Sequence, residues 1–166
     1  MIVGDSGTNG SISASSNIVN NGALIFNRND NITIAGVING TGSLTQNGTG
    51  IVLLMAENTY EGATRIERGT LSIGAGGTTG SIANILNVVN NGTLMFNRSD
   101  DITLNAAISG NGSLAKAGTG NLTLTGNSNY TGNTSILDGR MIVGNGTSGS
   151  ISVSYTHLTL PTKRIV

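Results

Sequence analysis

Few side chains in this 166-residue chain are equipped for chemistry. It has one histidine, His157, one proline, no tryptophan and no cysteine, and only 10% of its residues are charged. Without cysteine there is no thiolate nucleophile, zinc-thiolate site or disulfide. A literal G-x-G-x-x-G runs from Gly144 to Gly149, but a nucleotide-binding loop needs a strand before it and a helix after it, and no helix pattern follows. Gly76-Gly77 opens like a calcium-binding nonapeptide, yet Thr78-Thr79-Gly80 supplies no aspartate. Arg28 with Asp30 and Arg98 with Asp100, next to Asp101, sit at matching places and read as exposed turn pairs of small energetic worth. The sharper alternative, a carboxylate pair acting on a polysaccharide, conflicts with their recurrence, because active sites seldom repeat within a chain. Tyr60 and Tyr130 read as packed or capping residues at corners rather than as glycan-stacking rings. Asn-x-Ser/Thr tripeptides, as at Asn31, Asn91 and Asn121, follow from the composition alone. No catalytic, cofactor-binding or metal-ligating residue is assigned, no cofactor is expected, and the chain reads as a non-enzyme.

The elements that position these residues are legible from composition and period. Glycine (26), asparagine (22), threonine (21) and serine (17) make up just over half the chain. These are weak helix formers that favour turns and caps, so a helical bundle is excluded. Collagen lacks its Gly-X-Y period here, and 37% hydrophobic content with a formal net charge of zero excludes a charged disordered tail. No basic patch suggests a nucleic-acid partner. No apolar run approaches the roughly 18 residues of a membrane helix, and Met1 to Gly10 does not read as a signal peptide.

The chain repeats. Asn20 to Gly74 laid over Asn90 to Gly144 without a gap gives 25 identities in 55 positions, including Phe26/Phe96, Asp30/Asp100, Gly50/Gly120 and Tyr60/Tyr130. The register reaches both ends, since Ile2-Val3-Gly4 matches Ile142-Val143-Gly144. Within each copy apolar residues alternate, as in Ile32-Thr33-Ile34 and Leu122-Thr123-Leu124, which is the spacing of a half-buried strand. Short strands are expected near residues 18, 24, 32, 37, 44, 52, 65 and 71, each followed by Gly or Asn. Strands at that rhythm with a long repeat specify an all-β fold, a β-solenoid of parallel coils. With three strands to a coil, 70 residues make about three coils and the chain about six to seven, a rod roughly 30 Å long. The expected inward set is Leu24, Phe26, Ile32, Ile34, Leu44, Val52, Leu54, Ile66, Leu71 and Ile73 with their partners 70 residues on, and Phe26 and Phe96 should not touch. Asparagine or threonine in neighbouring coils is expected to form ladders along the rod.

Gly40-Thr41-Gly42-Ser43-Leu44, Gly48-Thr49-Gly50, Val52, Leu54, Asn58-Thr59-Tyr60-Glu61-Gly62, Thr64, Ile66, Gly69 and Leu71 resemble the autotransporter-associated β-strand repeat. So, more closely, do Gly110-Asn111-Gly112-Ser113-Leu114, Gly118 to Leu124, Asn129-Tyr130-Thr131-Gly132, Thr134, Ile136 and Gly139. The two segments cover under half the chain. The first departs from the pattern at Ile51-Val52-Leu53-Leu54-Met55, apolar throughout, which suggests a strand covered on both faces. The resemblance implies a right-handed parallel β-helix, the passenger of a type V secreted protein of a Gram-negative bacterium, displayed on or released from the cell surface. It further implies a structural module that assists outer-membrane translocation and folding and acts as a stalk, with a translocator β-barrel elsewhere in the full-length protein. An adhesin surface for host or cell-surface glycans or proteins is the alternative, and part of a carbohydrate-active β-helix enzyme the remote one.

Residues 1–151 are thus read as a fragment holding two copies cut at both ends, whose uncapped coils are expected to associate end to end. Residues 152–166 leave the register. Val153 to Thr162 resembles the translation of a transposon-derived sequencing adapter, so the tail reads as non-native, and adapter-free codons there would refute this. Without it the net charge is −2 and the chain's one histidine is gone.

Overall fold

The computed structural model describes residues 1–82 and 85–151, so the suspected adapter tail lies outside the described residues. Every strand pair among them is parallel, and no described residue is helical. The chain winds as a three-sided rod of about seven turns. Its first side stacks Ile2–Val3, Ala23–Phe26, Ser43–Gln46, Thr64–Ile66, Val88–Asn90 and Ile108–Ser109. The second side stacks Ile32–Ile34, Ile51–Leu54, Thr70–Ile73, Thr93–Asn97, Ser113–Ala117 and Thr134–Ile136. The third is built from Ile18–Val19 on Ile38–Asn39, a bridge between Glu57 and Ser81, and then Ile102–Leu104, Asn121–Leu124 and Arg140–Val143. The strands start within one residue of the eight expected places.

Alternation decides which residues face the lumen. Leu24, Phe26, Leu44, Leu54, Ile66 and Leu71 are at most 1% exposed, and every other member of the expected inward set is buried or packed partly buried against the core. Phe26 stacks between Val3 and Gln46, whereas Phe96 stacks between Ile73 and Lys116, so the two phenylalanines have separate neighbours. The apolar run from Ile51 to Met55 keeps the alternation too. Val52 and Leu54 are buried, but Ile51 is 38% exposed and Leu53 and Met55 are half-buried. The expectation of a strand covered on both faces is therefore corrected: the outward Ile51 and Leu53 line an open groove with Asn31, Thr33 and Ser72. Isolated exposed apolar residues such as Leu86 and Val19 are ordinary for a folded surface.

Corners need glycine because backbones stack there at the spacing of paired strands, leaving no room for a side chain. A Cβ on Gly42 would lie 2.3 Å from the Gly22 carbonyl oxygen, and one on Gly120 would lie 1.9 Å from that of Asp100.

The structure sharpens the expected repeat of about three coils. Three whole turns carry Leu24 through Leu44 and Thr64 to Val88, but the counterpart of Leu24 is Leu94, one strand further on and on the next side. Likewise Ile32 lies on the second side and Ile102 on the third. A copy spans ten sides of the rod, from Ala23–Phe26 to Val88–Asn90, and ten is not a multiple of three. The 70-residue copy is thus three turns and a third, because turns without a corner loop take only 19 or 20 residues, as between Val52 and Leu71, and only those that hold one take 23 or 24.

Candidate functional site

The outward feature that recurs once per copy is a glycine-bounded corner loop: Gly4 to Gly10, Gly74 to Gly80 and Gly144 to Gly149. These loops hold the extra residues of the longer turns, such as the 24 between Thr64 and Val88. Each opens and closes on a positive φ, at 101° and 80°, 78° and 104°, and 84° and 102°. A third positive φ sits at matching positions, where Gly76 has 92° and Gly146 has 90° but Ser6, a residue with a Cβ, has 74°.

The first two loops are stapled from the turn above. Ser6 N donates to Asn27 O at 2.8 Å and Asn29 N to Gly7 O at 3.0 Å; in the next copy Gly76 N donates to Asn97 O at 2.8 Å and Ser99 N to Gly77 O at 2.9 Å. Between those backbone bonds stands an arginine. Arg98 Nε donates to Asp100 Oδ1 at 2.8 Å and Nη2 to Asp100 Oδ2 at 2.7 Å, a bidentate fork, while its remaining protons reach the Gly80 and Thr78 carbonyls and, at 3.1 Å, Glu57 Oε1. Glu57 belongs to the turn below and also accepts from Gly80 N at 3.1 Å, so three successive turns meet at one guanidinium. Arg28 repeats the fork to Asp30 and the bond to Gly10 O.

The expectation of exposed turn pairs holds for the carboxylates, at 40% and 39% exposed for Asp30 and Asp100, and is corrected for the arginines. The Arg98 side chain is 5% exposed and that of Arg28 10%, because each reaches inward over its loop. The Arg98 guanidinium bonded to Asp100 holds that carboxyl below the ordinary carboxylate range, and Arg28 does the same for Asp30. Glu57, the partner 41 residues away, was missed by sequence reasoning, since its counterpart in the second copy is Asn127. The recurrence of Arg-x-Asp beside a glycine-bounded loop was the available signal.

The other singled-out residues are structural in this geometry. Tyr60 and Tyr130 lie inside the rod, each with its hydroxyl 2.6 Å from a threonine Oγ1, Thr64 and Thr134, and burial raises both phenols above their usual range. Ladders form, chiefly from a backbone N–H donating to an amide or carboxylate oxygen one turn down: Thr41 N to Asn21, Ile51 N to Asn31, and Asn121 N to Asp101 at 2.8 Å. Inward at the corners, Gln46 Nε2 donates to the Gly48 and Gly50 carbonyls, and at the matching place Lys116 Nζ donates to Ala117 O at 2.7 Å and Gly118 O at 2.8 Å. Burial holds the Lys116 amine below its usual range. Among the described residues, no three acidic or imidazole side chains gather as metal ligands would. Gly144 to Gly149 folds as a corner loop in which Asn145 Oδ1 accepts from Thr147 N at 3.1 Å and Ser148 N at 2.9 Å.

This architecture defines a class first: a parallel β-solenoid whose polar groups join turn to turn. The family model described as Passenger-associated-transport-repeat matches at residues 44–73 and 114–143. Over 90 residues the chain is 47% identical to the protein named Adhesin BmaC autotransporter of Brucella suis biovar 1 (strain 1330), a stretch that is 52% of this chain and 3% of that protein. No solved structure matches. The chain thus carries this passenger-associated repeat twice and is similar over about half its length to a protein named as an autotransporter adhesin. It spans a small fraction of the curated relative's length.

Proposed function

We propose that this stretch is a non-catalytic stalk module of its passenger, which supports folding and outer-membrane translocation and holds another segment away from the cell. The observation that carries this reading is where the polar side chains go. Arg28 and Arg98, the ladder asparagines and the inward Gln46 and Lys116 are all engaged in joining a turn to itself or its neighbours. Each turn is templated by the one beside it, which suits a chain that folds progressively as it emerges. The translocator β-barrel of the same full-length protein is its partner in this reading.

Deleting residues 20–89, one whole copy, from the full-length protein tests it. A stalk tolerates the in-frame loss with shortened display, whereas a dedicated binding segment loses adhesion outright. The relative's name supports a second reading, in which one side of the rod itself binds host or cell-surface ligands. Specific binding of the isolated chain on a glycan array or to host-cell surface proteins would favour that reading over the passive stalk.

A further inference from the structure

A copy of three and a third turns does more than lengthen the rod. Had the repeat been three whole turns, every copy would have presented its corner loop above the last, along one edge. Instead the loop from Gly4 to Gly10 lies at the corner between the first and second sides, that from Gly74 to Gly80 between the second and third, and that from Gly144 to Gly149 between the third and first. The matched family segment turns with it, beginning at Leu44 on the first side and at Leu114 on the second. The shift is built in by strand count: ten sides to a copy and three to a turn leave a remainder of one.

We infer that the repeat is an angular spacer: each copy raises whatever follows it by about 16 Å and turns it by about a third of a revolution. Three copies restore the starting direction after ten turns, about 48 Å along the axis. The corner loops therefore climb the rod as a spiral staircase rather than a column. A partner seated on one loop finds the corresponding loop of the next copy only by moving round the rod, and gaining or losing one copy re-aims every distal segment. This rests on the stalk reading for its purpose but not for its geometry.

The chain's lack of native cysteine allows spin-label pairs to measure the geometry directly. Thr8 and Thr78 are exposed counterparts 70 residues apart on successive loops, whereas Thr45 and Ser109 lie 64 residues apart in one outward column, three whole turns from each other. With Thr8→Cys and Thr78→Cys labelled, the expected separation is about 25–30 Å, from about 16 Å of rise and a side of the rod. With Thr45→Cys and Ser109→Cys it is about 14 Å, seen as strong dipolar broadening. A Thr8–Thr78 distance as short as that of Thr45–Ser109 would overturn the spacer. A long Thr45–Ser109 distance would overturn the stacking on which it stands, and neither outcome depends on whether the passenger is a stalk or an adhesin.

Discussion

Arg98 shows how one side chain can tie three turns together. It is nearly buried, forks onto Asp100 and closes the loop between Gly74 and Gly80, so Arg98→Met takes the guanidinium from two loop carbonyls and Asp100 and leaves Glu57 with the Gly80 N–H. We expect a loss of about 2 kcal/mol in urea unfolding, since the loop re-solvates part of what it loses. Asp100 and Asp30 titrate below their unfolded value of 3.8, so the stabilisation from each carboxylate is fully present above that pH and is lost as pH falls through the lower folded value. Melting curves from pH 5 down to pH 2 should fall more steeply for the parent than for the Asp30→Asn, Asp100→Asn double variant. Lys116 offers a second residue-scale check, because Gln46 performs its task in the other copy. Lys116→Gln should be tolerated within about 0.5 kcal/mol, whereas Lys116→Met strands two inward carbonyls at a cost of about 1–3 kcal/mol, both read by thermal melts. The Arg-x-Asp pairs were legible in the sequence as recurring, but their burial was not: the loop carbonyls that Arg28 and Arg98 cap lie 18 residues away, in the turn beneath.

Strands and corners were legible for a different reason. Period-two alternation is local, so Leu24, Phe26, Val52 and Leu54 announce their inward direction without knowledge of their neighbours. Corners are less uniform than their glycines suggest. Gly22 has ordinary φ and open space where a Cβ would project, but Gly42, stacked above it, has the Gly22 carbonyl oxygen 2.3 Å from that point. Gly22→Ala should therefore leave stability within about 0.5 kcal/mol of the parent, whereas Gly42→Ala forces backbone apart and costs about 2 kcal/mol or more. Equal effects in chemical denaturation would show that corner glycines serve chain flexibility rather than close stacking.

The whole molecule behaves as a one-dimensional stack, since each strand pairs only with strands of the adjacent turns, although Arg98 reaches two turns down to Glu57. Leu54 is fully buried between Ile34 and Ile73. Leu54→Ala should cost about 2–5 kcal/mol. Hydrogen exchange should register the damage in the strands at 32–34, 51–54 and 70–73 and show it fading by 113–117; uniform loss along the rod would mean a single cooperative unit instead. By itself, the sequence determined the all-β class, the strand positions, the lumenal set and the two-copy repeat, because alternation, turn residues and self-similarity are properties of a linear string. Tertiary structure alone decided the phase. The number of residues in a turn depends on how tightly each corner packs on the one below, so Val52 to Leu71 takes 19 residues and Thr64 to Val88 takes 24. No count along the chain reveals that these lengths make ten sides to a copy, and so a repeat that turns as it climbs.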